Sequence, residues 1–346
     1  MIVAMTRGAD DTLVSAVEER IRSYGLVPIR LPGGERVAIG IVSAIPTETR
    51  ETLAETLQVM DGVDHVTHVS RPYKLASREF HAVDTVISIG QTEFGGRRLA
   101  LIAGPCSVET EDQMMAAAQT VKAAGGTMLR GGAFKPRTSP YAFQGLGREG
   151  LKIMRDAAKA HGLSTVSEVM SPGDVAMVAE HVDMLQIGAR SMQNYPLLVE
   201  AGASGHPVLL KRGPSASIDE FLLAAEYLLS RGARDVVLCE RGVHPLDKTY
   251  VRNTLDLNAV PVLKEISHLP VIVDPSHGTG FARLVPPMAL AAVACGADGL
   301  IVEMHPNPRE ARSDAAQALE PPVLIDLFRQ VSRVAEAVGR EARLAE

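Results

Sequence analysis

The chain has 346 residues, 46% of them hydrophobic, with a formal net charge of −6 and no tryptophan. That length exceeds one ordinary core and predicts a large domain of about 250 residues plus a smaller one. The acidic balance and an aromatic content of only 4% argue against a base-stacking nucleic-acid surface and against attraction to anionic membranes, so any anion site must be a local cluster of cations.

The N-terminal MIVAMTRGADD lacks the apolar core of a signal peptide, and the longest apolar run, near 288–295, is far short of a membrane span. Three scattered cysteines, Cys106, Cys239 and Cys295, build no disulfide framework and fit a reducing compartment. The expected location is the cytosol.

In chain order, residues 2–6 read as a short strand. Asp10 and Asp11 open a helix on which Leu13, Val17, Ile21 and Tyr24 recur at helical spacing, and Gly25 stops it. Residues 26–31 read as a second strand, Pro32-Gly33-Gly34 as a turn, and Val37, Ile39 and Ile41 alternate as a third strand. A second helix starts between Pro46 and Thr49 with Leu53 and Leu57 inward, and residues 63–69 close the series as a strand. This βαββαβ order is the ferredoxin-like split motif. It is expected over residues 1–70 as a small α+β domain for binding or assembly, since it carries no nucleophile–base pair. Residues 71–98 are expected to form a linker and a hairpin or lid, with 85–89 and 97–101 as its arms.

From residue 99 to 346 the pattern repeats. Buried strands are predicted at 99–103, 127–130, 164–167, 183–187, 207–210, 235–239, 271–273 and 299–303, separated by amphipathic stretches and closed by a helix over 320–338. Eight strand–helix units over about 250 residues predict a (β/α)8 barrel, an α/β fold. A doubly wound sheet is the alternative, but no GxGxxG opens a helix. The seventh strand, Val271 to Val273, runs through Asp274-Pro275 into a glycine-bearing polar loop that holds His277.

In a barrel, chemistry sits at the C-terminal ends of the strands. Two sets of residues stand there. Arg130, Lys135, Arg190, Lys211 and Arg241 would converge on one mouth. Two like unit charges 4 Å apart repel by about 4 kcal/mol in a surface-like dielectric, so the cluster calls for a phosphorylated, carboxylated ligand. Cys106, His277, Glu303 and Asp314 come from the first, seventh and eighth strand ends, neighbours once a barrel closes. Thiolate, imidazole and two carboxylates make a mixed site for a divalent ion.

Seven segments then carry a resemblance: PYKLASREF at 72–80, AGPCSVE at 103–109, RGGAFKPRTSPY at 130–141, IGARSMQN at 187–194, LKRG at 210–213, DPSHGTG at 274–280 and VEMHPNP at 302–308. Together they resemble the 3-deoxy-D-arabino-heptulosonate 7-phosphate (DAHP) synthases, of the microbial type with a ferredoxin-like N-terminal extension. The resemblance implies the first step of the shikimate pathway, in which phosphoenolpyruvate, erythrose 4-phosphate and water give DAHP and phosphate. On matching positions it implies Cys106, His277, Glu303 and Asp314 as metal ligands. Arg130, Lys135, Ala189, Arg190, Lys211 and Arg241 would hold phosphoenolpyruvate, and Arg137 with Thr138 the phosphate of erythrose 4-phosphate. Lys135 is read as proton donor to the forming alkoxide and Glu168 as the group that orients water. Manganese(II) is the expected metal, with iron(II), cobalt(II) or zinc(II) as alternatives. The resemblance also implies an aromatic amino acid effector acting on the extension, and a homo-oligomer, a tetramer.

Two enzymatic rivals remain. The sister synthase for 3-deoxy-8-phosphooctulonate uses arabinose 5-phosphate, but its usual KANRS-like stretch is KPRTS here. A Schiff-base aldolase would use Lys211 as nucleophile.

Overall fold

The computed structural model describes residues 1–31, 37–67, 71–135, 139 and 141–342. The chain divides into two compact units, Met1–Val83 with Ile266–His268, and Asp84–Glu265 with Leu269–Glu346.

The first unit holds β1 (Ile2–Met5), α1 (Asp11–Ser23), β2 (Pro28–Leu31), β3 (Ala38–Ile41), α2 (Thr47–Gln58) and β4 (Val63–Thr67). Its antiparallel sheet has the order β2-β3-β1-β4, so β1 lies between β3 and β4 as the split motif requires. Asp10 caps α1, its carboxylate accepting from Leu13 N at 3.0 Å. The buried face of α1 is Val14, Val17 and Ile21, while Leu13 and Tyr24, expected to face inward, are only half-buried. The stripe is rotated by one residue because Glu18 must also turn inward, where it accepts from Arg30 Nε at 2.8 Å and Arg22 Nη2 at 3.3 Å. Val3, Met5, Ile39, Ile41, Leu53 and Leu57 complete this core. Residues 71–83 belong to the same unit. Tyr73 and Ala76 are buried there, and the Lys74 ammonium donates to the carbonyls of Ile41, Val42 and Ser43 at 2.9–3.1 Å, closing the open end of β3.

The second unit begins with a hairpin, β5 (Ile87–Ile89) and β6 (Thr92–Phe94). This corrects the expected pairing of 85–89 with 97–101. Gly90, at φ 57°, makes the tight turn directly after β5 ends, and the 97–99 segment pairs instead with Glu341, through Leu99 N to Glu341 O at 2.8 Å and Glu341 N to Arg97 O at 2.9 Å.

Eight parallel strands follow: β7 (Ala100–Gly104), β8 (Met128–Arg130), β9 (Ser164–Val169), β10 (Met184–Ile187), β11 (Val208–Lys211), β12 (Val236–Glu240), β13 (Val271–Val273) and β14 (Gly299–Glu303). They close in sequence order, with β14 pairing to β7. The helices between and after them are α3 (Glu111–Ala123), α4 (Arg148–His161), α5 (Val175–Ala179), α6 (Tyr195–Ala203), α7 (Ile218–Ser230), α8 (Ala259–Ile266), α9 (Pro275–Thr279), α10 (Val285–Ala294) and α11 (Pro321–Ala337). All eight predicted strands are present; most are apolar and buried on both faces, while β9, STVSEV, is largely polar in sequence.

The hairpin closes one end of the barrel. Ile87, Ile89 and Phe94 cluster with the inward Ala100, Ile102, Met128, Val166, Met184, Leu209, Val237, Ile272 and Ile301. Thr92 Oγ1 donates to Thr127 and Ser164 Oγ donates to Ile89 O, both at the N-terminal ends of strands. The opposite end, where the strands finish, is left for ligands. No described helix is long and apolar enough to cross a membrane.

Candidate functional site

The residues that make the site are held by turns the sequence builds for close approach. Gly104, at φ 152°, ends β7; a Cβ there would lie 2.0 Å from Arg130 O, so only glycine lets the β7 and β8 ends meet. Cys106 follows at once, and its carbonyl accepts from Gly132 N at 3.1 Å and from Lys135 Nζ at 2.7 Å. The segment after β13, expected to be a loop, is a single helical turn. Asp274 caps it by accepting from His277 N at 2.9 Å, Pro275 opens it, and Gly280 in the left-handed region ends it. Asp314 is the one non-glycine among the described residues with positive φ, 50°. Aspartate tolerates that conformation better than most residues, and it turns the Asp314 carboxylate back toward Cys106.

These turns bring the predicted metal-ligating residues together. Ligand atoms of Cys106, Glu303 and Asp314 all lie within 4.8 Å of one another. The Cys106 thiol donates to Asp314 Oδ2 at 3.2 Å. His277 Nε2 faces the same group, 3.5 Å from Glu303 Oε1 and 3.8 Å from Asp314 Oδ2. Its other ring nitrogen, Nδ1, sits 2.8 Å from Asp274 Oδ2, which fixes the ring and leaves Nε2 toward the cluster. The thiol and two carboxylates lie close enough together to hold a divalent metal, and the imidazole of His277 faces both acids from beside them.

Charge is balanced tightly. Burial opposes ionisation of Glu303, which is 1% exposed, but His277, Arg130 and Lys135 outweigh it and bring its pKa down to about 2. Asp274, also buried, is held well below the ordinary carboxylate range by His277 and by Lys211, whose ammonium it accepts. Burial and the Glu303 charge push the Cys106 thiol up to about 12, against the pull of Lys135 Nζ, 3.0 Å from Sγ. Arg130 pairs with Glu303 Oε1, and its Nε has no protein partner among the described residues. An orphaned buried donor of this kind marks a place for a bound acceptor.

Beside the cluster lies a cavity of about 400 Å³, lined among others by Arg130, Lys135, Glu168, Ala189, Arg190, Lys211 and Arg241, and by His277 and Asp314. Every predicted phosphoenolpyruvate residue is on its wall. Burial pushes the Arg241 guanidinium below its ordinary value, the cost of holding a cation out of water until an anion arrives. Glu168 is half-buried against Gly188, where a Cβ would lie 1.9 Å from its carboxylate. Arg137 and Thr138 lie outside the described residues.

The sequence reading missed His244, Arg252 and Asn253, which also line the cavity. They sit in the long connection between β12 and α8, which begins only at Ala259. Buried Glu240 and Arg212 draw residue 256 away from a helix: Arg212 Nη1 donates to both Glu240 and Asp256 at 2.9 Å. A connection of that length in a compact barrel was itself a functional signal.

Comparison with known proteins agrees with this geometry. A family model described as the DAHP synthetase I family matches residues 80–340, and one described as the DAHP synthase ferredoxin-like domain matches residues 1–71. The phospho-2-dehydro-3-deoxyheptonate aldolase of Thermotoga maritima is 44% identical over 339 residues, 98% of this chain and 99% of that protein. A crystal structure of the Thermotoga maritima DAHP synthase superposes with a TM-score of 0.78 at 43% identity, covering 99% of each chain. A 2-dehydro-3-deoxyphosphooctonate aldolase of Koribacter versatilis is more distant, 30% identical over 271 residues, 72% of this chain and 96% of the relative. A barrel whose strand ends gather a thiol, an imidazole, two acids and a ring of cations, preceded by a ferredoxin-like domain, therefore has its relatives: this chain belongs to the DAHP synthetase I family.

Proposed function

We propose that this chain condenses phosphoenolpyruvate with erythrose 4-phosphate and water to give DAHP and inorganic phosphate. The observation that carries the reading is a shared wall: His277 and Asp314, members of the thiol–imidazole–carboxylate cluster, also line the cationic cavity, as does Lys135, which touches the cluster's sulfur. An enol phosphate seated among Arg130, Lys211, Arg190 and Arg241 would have its phosphate and carboxylate neutralised by guanidinium and ammonium groups. Cys106, His277, Glu303 and Asp314 would hold a divalent ion, manganese(II) in our reading, whose chemistry when bound is to polarise the sugar aldehyde. C3 of phosphoenolpyruvate attacks the aldehyde carbon, Lys135 Nζ gives its proton to the new alkoxide oxygen, and water guided by Glu168 adds at C2 before phosphate leaves. Arg137 and Thr138 bind the erythrose 4-phosphate phosphate in this scheme.

Phosphate release from phosphoenolpyruvate is expected with erythrose 4-phosphate, and to stop on addition of a chelator. Release with arabinose 5-phosphate alone would assign the chain to the octulosonate reaction of its more distant relatives. Chelator-resistant turnover that borohydride traps on Lys211 would assign it to Schiff-base chemistry.

We further propose that residues 1–70 form a regulatory domain for an aromatic amino acid, in a homotetrameric cytoplasmic enzyme whose barrel spans residues 99–346. Tyrosine or phenylalanine is expected to inhibit the full chain and not a version starting at Arg71. Inhibition that survives the truncation would remove the extension as sensor.

A further inference from the structure

We infer that Gln317 and Arg252 act together as positioning residues that aim the Glu303 and Asp314 carboxylates at the metal site; the inference rests on the metal reading above. Gln317 is 2% exposed and lies in the 3-10 turn at 315–317 that follows Asp314. Its amide Nε2 donates to Glu303 Oε2 at 2.6 Å, and its Oε1 accepts from Arg252 Nη1 at 2.9 Å. The same Nη1 donates to Asp314 Oδ1 at 3.2 Å. Only one amide orientation satisfies an acceptor on one side and a cation on the other, so the side chain is locked.

Gln317 and Arg252 occupy Glu303 Oε2 and Asp314 Oδ1. Glu303 Oε1 and Asp314 Oδ2 are the oxygens nearest His277 Nε2, at 3.5 and 3.8 Å, and Oδ2 is the one that meets the Cys106 thiol. Asp314 thus has one oxygen held back and the other presented, while Gln317 holds Glu303 Oε2 and leaves Oε1, which also pairs with Arg130, turned toward the imidazole; both arrangements favour one-oxygen ligation.

The same stretch of chain also steadies the third donor. Arg252 N donates to Thr279 O at 2.9 Å and Asn253 Nδ2 donates to His277 O at 2.7 Å, both within the turn that carries the imidazole. Gly280 allows this contact, since a Cβ there would lie 2.3 Å from Arg252 Cβ. Carboxylates anchored in this manner bind metal more tightly, and losing the anchor typically lowers affinity about 10- to 100-fold.

The test is manganese(II) binding to metal-free protein, followed by electron paramagnetic resonance, for wild type, Cys106→Ala, Gln317→Met and Arg252→Lys. Gln317→Met keeps the length of the side chain and removes both hydrogen bonds. It is expected to weaken manganese binding about 10- to 100-fold while the metal-free melting curve stays cooperative, an outcome that general loosening of the fold would not give. If Gln317→Met does not fold, Arg252→Lys carries the test. This residue is partly exposed, and the shorter fork-less cation is expected to weaken binding in the same direction by a smaller factor. Binding by the folded variant within twofold of wild type overturns the inference alone. Wild-type protein that binds no manganese, or binds it equally well after Cys106→Ala, overturns the metal reading and this inference together.

Discussion

Lys135→Met is expected to lower turnover by roughly two to four orders of magnitude, the usual worth of a general acid placed at the reacting atom. Lys135 is 8% exposed and held from two directions, by the Cys106 carbonyl at 2.7 Å and by Sγ at 3.0 Å. It therefore stands where the cavity meets the donor cluster, with its ammonium on the wall of one and against the sulfur of the other. Methionine matches its length without a proton or a charge. Metal content is expected to hold, because all four donors remain and the lost N–H···S contact is offset by removing a cation from beside a cation site. Steady-state assay with saturating manganese and both substrates is the check, and wild-type turnover would refute the proton-donor role.

A second large effect is expected from Cys106→Ala. The thiol is 4% exposed and small, so alanine fits without disturbing the barrel, and Lys135 keeps its bond to the residue 106 carbonyl. Loss of the metal-binding sulfur should nevertheless leave purified protein without its stoichiometric ion. If polarisation of the aldehyde contributes about 4 kcal/mol, activity falls about a thousandfold. Metal analysis beside the phosphate-release assay distinguishes this from a simple folding defect, which would appear as a broadened melting curve. Full activity with no bound metal would refute the role given to the cluster.

How much of this was legible in the sequence follows from where the information sits. Most barrel strands are short apolar runs covered on both faces, recurring at a regular strand–helix spacing, so the eight strands and the order β1 to β4 of the small unit could be read directly. Once a barrel is drawn, strand ends become neighbours. That is why Cys106, His277, Glu303 and Asp314, separated by up to 208 residues, could be grouped before any coordinates. Positions that depend on irregular backbone were not legible. Arg252 and Asn253 lie in a connection without periodicity. Gln317 is a neutral amide whose role comes entirely from its two partners. The turn carrying His277 looked like a loop because SHGTG is poor in helix formers; the Asp274 cap and the left-handed Gly280 make it one helical turn. The hairpin arms were displaced for a similar reason, since a single left-handed Gly90 sets the register and not the apolar pattern on either side.

The central claim is that a sulfur from the turn after β7, an imidazole from the turn after β13 and two acids from and beyond β14 share one ion. X-ray absorption at the metal edge of the protein carrying one equivalent of zinc(II) addresses it most directly. One sulfur neighbour at about 2.3 Å is predicted, with nitrogen and oxygen at about 2.0–2.2 Å, and the sulfur should vanish in Cys106→Ser. A shell of nitrogen and oxygen alone in the wild-type protein would contradict the account.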